Sequence, residues 1–143
     1  MKLNTMAAVM TFVSKIESES ARFYETQANV FPERKDTFLA WVKENRKFEK
    51  LVKRTYFGVI TDTLESNYCF ETLDSEGYAF PTNLADGADP SEATGRAFEI
   101  ESTIKRFYLE AARLSDGLMA DIPRLFKKIA KEREERCRIL SAA

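Results

Sequence analysis

The stretch IESESARFY, from Ile16 to Tyr24, returns 84 positions later as IESTIKRFY, from Ile100 to Tyr108. Each copy sits on an apolar stripe with helical spacing. Val13 lies four residues before Glu17, Ala21 four after and Tyr24 seven after. Ala97 lies four before Glu101, Ile104 three after and Tyr108 seven after. Steps of three, four and seven place side chains on one face of an α-helix. A stripe that carries an acid in the same register twice points to an all-α fold built from a duplicated helical unit.

The periodicity predicts four helices, at about 4–31, 35–56, 90–113 and 121–141. The first carries Met6, Met10, Val13, Ala21, Tyr24, Ala28 and Phe31 on one face and breaks at FPER. The second carries Phe38, Trp41, Val42, Phe48 and Val52, with Gly58 expected to end or bend it. The third starts at Asp89-Pro90, an N-cap followed by proline at the first helical position. It places Ala97, Phe98, Ile104 and Tyr108 together. After the turn SDGLMADIP, the fourth carries Ile122, Leu125, Phe126, Ile129, Ala130 and Leu140. Residues from about 57 to 89 form one long crossover, rich in acids and aromatics. A connection of that length is expected to pack, with a short helix near ITDTLESN and then an extended stretch lying on the bundle. A single domain of two helical hairpins joined by one crossover is the expected organisation.

Composition narrows the chemistry. The 143 residues include no histidine, which excludes Ser-His-Asp and Cys-His catalysis and every imidazole metal site. Net charge is −1, so no global field draws in nucleic acid or an anionic membrane. Cys69 and Cys137 form no Cys-x-x-Cys pair, and this usage suits a reducing cytoplasm. The opening TMAAVMTFV is too short and mixed to span a membrane and reads as the start of the first helix. No Lys or Arg lies between Arg54 and Arg96, whereas the last helix is rich in both. This reads as self-complementary surface or as helix faces of opposite sign, ahead of a nucleic-acid patch, and the acidic crossover is the candidate surface for a protein partner.

Glutamates on apolar stripes need partners, because acids are almost never fully buried alone. A Glu seven residues before the Tyr of an (F)Y-x-x-A ending resembles the first and third helices of the rubrerythrin-like branch of the ferritin-like superfamily. The resemblance spans the whole chain and implies a ferritin-like four-helix bundle. It also implies a homodimer. In that family each such helix gives one Glu to a di-iron centre, and the second and fourth helices each give Glu-x-x-His. Laid on the apolar frame here, the second helix has Asn45 and Phe48 at those positions, and the fourth has Arg133 and Arg136. Only Glu17 and Glu101 match the family's ligands. The Cys-x-x-Cys rubredoxin-like domain of full-length rubrerythrins has no counterpart in these residues.

Two carboxylates facing each other in a core require positive charge nearby. The expectation is that Arg133, with Arg136, supplies it, that Asn45 completes the hydrogen bonds, and that Phe48 fills the space of an imidazole. Tyr24 and Tyr108 are expected as core tyrosines bonded to a carboxylate or the backbone. The reading implies a non-catalytic binding or structural protein without a cofactor. A competing frame turns the second and fourth helices by one residue. Glu17, Glu44, Glu101, Glu132 and Glu135 then face inward, with Lys47 at the histidine position. Such an all-carboxylate centre would suit an iron or manganese pair in an oxidoreductase or peroxidase. It would also expel Phe38, Val42 and Phe48, each worth about 1.5–3 kcal/mol when buried.

Overall fold

The computed structural model describes residues 1–60, 72–116 and 121–142. Among them are four α-helices and no strand: α1 Met6–Val30, α2 Lys35–Ile60, α3 Pro90–Leu114 and α4 Asp121–Ser141. No described helix is long and apolar enough to cross a membrane.

Local chemistry sets the helix ends. The Thr5 hydroxyl accepts from the Ala8 N–H at 3.1 Å, satisfying one of the donors that a helix start leaves open. Phe31 ends α1 by donating its N–H to the Gln27 carbonyl at 2.9 Å, and Pro32 opens the single 3-10 turn that leads into α2. The Asp89 carboxylate accepts from the Glu92 N–H at 2.8 Å, with Pro90 as the first residue of α3. Gly58 does not end α2, which continues to Ile60. A glycine inside a helix costs only about 1 kcal/mol relative to alanine, too little to stop it here.

The helices pair as hairpins, α1 along α2 and α3 along α4, and the hairpins meet through α2 with α4 and α1 with α3. The core between them is apolar and continuous, from Leu3 and Met6 through Phe38, Phe107 and Phe126 to Leu140. Phe98 departs from the expected stripe: it is 40% exposed on the outside of α3, while Ala93, Ala97 and Ile100 face inward. Small residues at 93 and 97 let the start of α3 approach its neighbours closely, and the aromatic turns outward.

The described end of the crossover packs on the bundle. Leu3 donates to the Leu73 carbonyl and Ser75 to the Met1 carbonyl, both at 2.9 Å, and both leucines are fully buried. A 3-10 turn, Ser75–Tyr78, then sets the Tyr78 ring edge-on against Phe107, with centroids 5.5 Å apart. The helix expected near ITDTLESN falls outside the described residues, as does Cys69.

Candidate functional site: a buried carboxylate–guanidinium cluster

Glu17 on α1 and Glu101 on α3 are 1% and 0% exposed. The α1 and α3 stripes bring them to the middle of the bundle, where the fully buried Arg133 of α4 lies between them. Its Nη1 donates to both oxygens of Glu101, at 2.9 and 2.6 Å, and its Nη2 donates to Oε1 of Glu17. A planar fork of N–H donors suits such bridging better than an ammonium.

The tyrosines complete the carboxylates in crossed fashion. Tyr24 Oη, on α1, donates to Glu101 Oε2 at 2.9 Å. Tyr108 Oη, on α3, donates to Glu17 Oε2 at 2.5 Å. Each copy of the repeated segment therefore gives its tyrosine to the other copy's glutamate.

Arg136, one helical turn beyond Arg133, joins the same cluster. Its Nη1 lies 3.4 and 3.3 Å from the Glu101 oxygens, and its Nη2 donates to the Trp41 carbonyl at 3.3 Å and to Glu44 Oε1 at 2.8 Å. Its guanidinium carbon sits 5.2 Å from the Trp41 ring centre, 5.8 Å from Phe48 and 5.9 Å from Tyr24. Arg133 also lies over Phe48, at 5.8 Å. These distances suit cation–π attraction, which is strongest where the cation is desolvated.

The buried charges balance: Glu17 and Glu101 against Arg133 and Arg136, with Glu44 a third carboxylate at the rim, 36% exposed. Burial raises the Glu17 carboxyl above its ordinary pKa. Arg133, the Tyr108 hydroxyl and Arg136 oppose that rise without cancelling it. Burial and the neighbouring carboxylates push both phenols well above theirs, so Tyr24 and Tyr108 stay protonated donors. For Arg133, burial works against the charge, but Glu101 and Glu17 hold its pKa above the ordinary value.

No family model, curated protein or solved structure matches the chain.

Asn45 is buried but does not reach the carboxylate oxygens as expected. Its Nδ2 donates to the Glu17 backbone carbonyl at 3.2 Å and to Ser20 Oγ at 2.7 Å, clamping α2 to α1. Its side chain is too short to cross from α2 past the α1 backbone. Phe48 points inward, beneath both guanidiniums. In the competing carboxylate frame, Lys47 is exposed, while Glu132 and Glu135 are half-buried. Glu135 pairs with Arg138 of its own helix. The structure does not gather Glu17, Glu44, Glu101, Glu132 and Glu135 into one centre. Phe38, Val42 and Phe48 remain buried, and that packing holds the helices in the other rotation.

Ser20 is the cluster member that sequence reasoning missed, and Glu44, expected inward only in the carboxylate frame, joins at the rim as a partner of Arg136. Trp41, Glu44 and Phe48 are spaced by three and four, which sets Glu44 on the edge of the α2 stripe. The cluster does not fit a metal ion. A guanidinium lies between the two carboxylates and its charge repels cations. Among the described residues, no group of three or more Cys, Asp or Glu side chains is placed to hold one. Cys137 is buried, its Sγ 3.7 Å from Ser102 Oγ, and burial raises its thiol pKa. It adds no nucleophile at neutral pH.

Proposed function

We propose that this chain is a ferritin-like, rubrerythrin-related bundle that serves as a non-catalytic binding or structural module, with Arg133 taking the place of metal between Glu17 and Glu101. The observation that supports this reading is the Arg133 fork, which donates to both carboxylates at once. Every Glu17 and Glu101 oxygen already accepts from an arginine or a tyrosine, so neither acid is free to act as a base. A cavity of about 130 Å³ between α1 and α2 is lined by Glu17 and Asn45, and one of about 160 Å³ between α2 and α4 by Glu44 and Phe48, whereas Glu101 and Arg133, both 0% exposed, lie deeper. The family resemblance extends the proposal to a homodimer through helix faces, by analogy alone. Two cysteines far apart in sequence, with Cys137 a free buried thiol, suit a reducing, cytoplasmic setting.

The test is metal content by mass spectrometry, on protein purified without chelator and then offered Fe(II) anaerobically. The proposal expects no tightly held iron or manganese. Uptake of about two irons per chain, the stoichiometry of a di-iron bundle, would replace it with an oxidoreductase reading. Sedimentation of the same sample checks the dimer.

A further inference from the structure

Away from the charged cluster, residues 82–88 and the outer face of α1 line an open groove of about 440 Å³. That volume falls in the range of small-molecule sites. Its floor is aromatic: Phe23 and Phe31 are 4% and 7% exposed. Between them in sequence is Gln27, 6% exposed, which lines the cavity. Its side-chain amide makes no hydrogen bond to any described residue. Its amide atoms open onto the cavity rather than lying sealed in the core, so they are available to a ligand there.

Three charged side chains line the same cavity: Glu19 and Arg22 on α1, and Asp86 on the facing turn. None of them forms an ion pair among the described residues. Glu19 and Arg22 are three residues apart on a helix, a spacing at which such pairs readily form, yet they stay apart. Asp86 is held in place by a tight turn, closed by the Ala88 N–H to the Ala85 carbonyl at 3.0 Å. Gly87 adopts φ 78° there, a conformation open to glycine.

A ligand of one charge would leave the opposite charge at the rim unanswered. A zwitterion answers both. We propose that this groove binds a free α-amino acid with an apolar side chain. Its carboxylate meets Arg22, its ammonium lies between Glu19 and Asp86 and donates to the Gln27 amide oxygen, and its side chain rests on Phe23 and Phe31. The acidic crossover thereby acquires a role through Asp86. This proposal does not depend on the ferritin-like reading.

The test titrates the full chain with L-phenylalanine, phenethylamine and 3-phenylpropionate, followed by calorimetry and by the side-chain amide resonances of Gln27. L-phenylalanine should saturate and shift those resonances. Each analogue, lacking one charge, should bind up to about fivefold more weakly, the loss expected for one exposed charge contact. Arg22→Gln, at an exposed position, should weaken L-phenylalanine and leave phenethylamine unchanged. Gln27→Leu should weaken L-phenylalanine and phenethylamine alike. Failure of L-phenylalanine to saturate by ~10 mM would overturn the proposal, as would equal affinity for all three probes or Arg22→Gln without effect.

Discussion

The Tyr108 hydroxyl on α3 donates to Glu17 on α1, and the Tyr24 hydroxyl on α1 donates to Glu101 on α3. Each hairpin is thus tied to the other by the same pair of residues used twice. The seven-residue spacing within each copy puts the tyrosine two turns beyond its own glutamate, level with the opposite one.

Arg133 is the member whose loss should cost most. Arg133→Met leaves Glu17 and Glu101 buried and facing each other without its charge. Breaking a buried pair by removing one partner costs roughly 3–5 kcal/mol, and urea unfolding should show a loss of that size. Adding Glu17→Gln and Glu101→Gln to Arg133→Met should recover much of it, because the desolvated charges go too. A triple variant weaker than Arg133→Met would contradict this account.

Rim and centre should differ. Glu44 is 36% exposed, whereas Glu101 is fully buried and bonded to both arginines and Tyr24. Glu44→Gln should change stability by less than about 1 kcal/mol, as for exposed ion pairs. Glu101→Gln should fall in the range of a broken buried pair, roughly 3–5 kcal/mol. Thermal and urea midpoints of the two variants, measured side by side, decide this.

Removing either phenolic hydroxyl should cost roughly 1.5–3 kcal/mol, the range for a hydrogen bond to a charged group. Tyr24→Phe and Tyr108→Phe should match within that range, since the two bonds are equivalent in arrangement. Ultraviolet titration of the folded wild type should show both phenols failing to ionise with the exposed tyrosines.

Glu17 gives a pH dependence of defined sign. Its folded pKa lies above its ordinary value of 4.5, so the native state binds the proton more tightly than the unfolded chain does. The stability this contributes is fully present below the unfolded pKa and is lost as pH rises through the folded one. The stability of wild type relative to Glu17→Gln should therefore decline as pH rises above 4.5 and then level off. Urea unfolding of both proteins across that window measures it. A difference that grows with pH would mean the Arg133 contact outweighs burial.

Much of this arrangement is legible in the chain. The stripes of α1 and α3 mark Glu17 and Glu101 as interior, because acids that interrupt a helical apolar period have few other places to point. The N-cap at Asp89 is equally plain, since Asp-Pro ahead of a periodic segment meets both requirements of a helix start. Phe98 and Gly58 are different. Whether an aromatic next to a stripe turns inward depends on the neighbouring helix, and a lone glycine near a helix end depends on what packs around it.

The sequence by itself determined the helices, their apolar faces and the need for positive charge beside two buried acids, because periodicity and the cost of burying charge are local or compositional. The family frame laid on α4 also singled out Arg133 and Arg136 as its source; only the tertiary structure decided how the groups pair. Arg133 and Arg136 reach Glu101 together, Glu44 closes the rim, Asn45 turns to Ser20 and the Glu17 backbone, and each tyrosine crosses to the opposite glutamate. Those choices rest on the rotation and depth of each helix against its neighbours. Packing over many residues sets these, and no single motif encodes them.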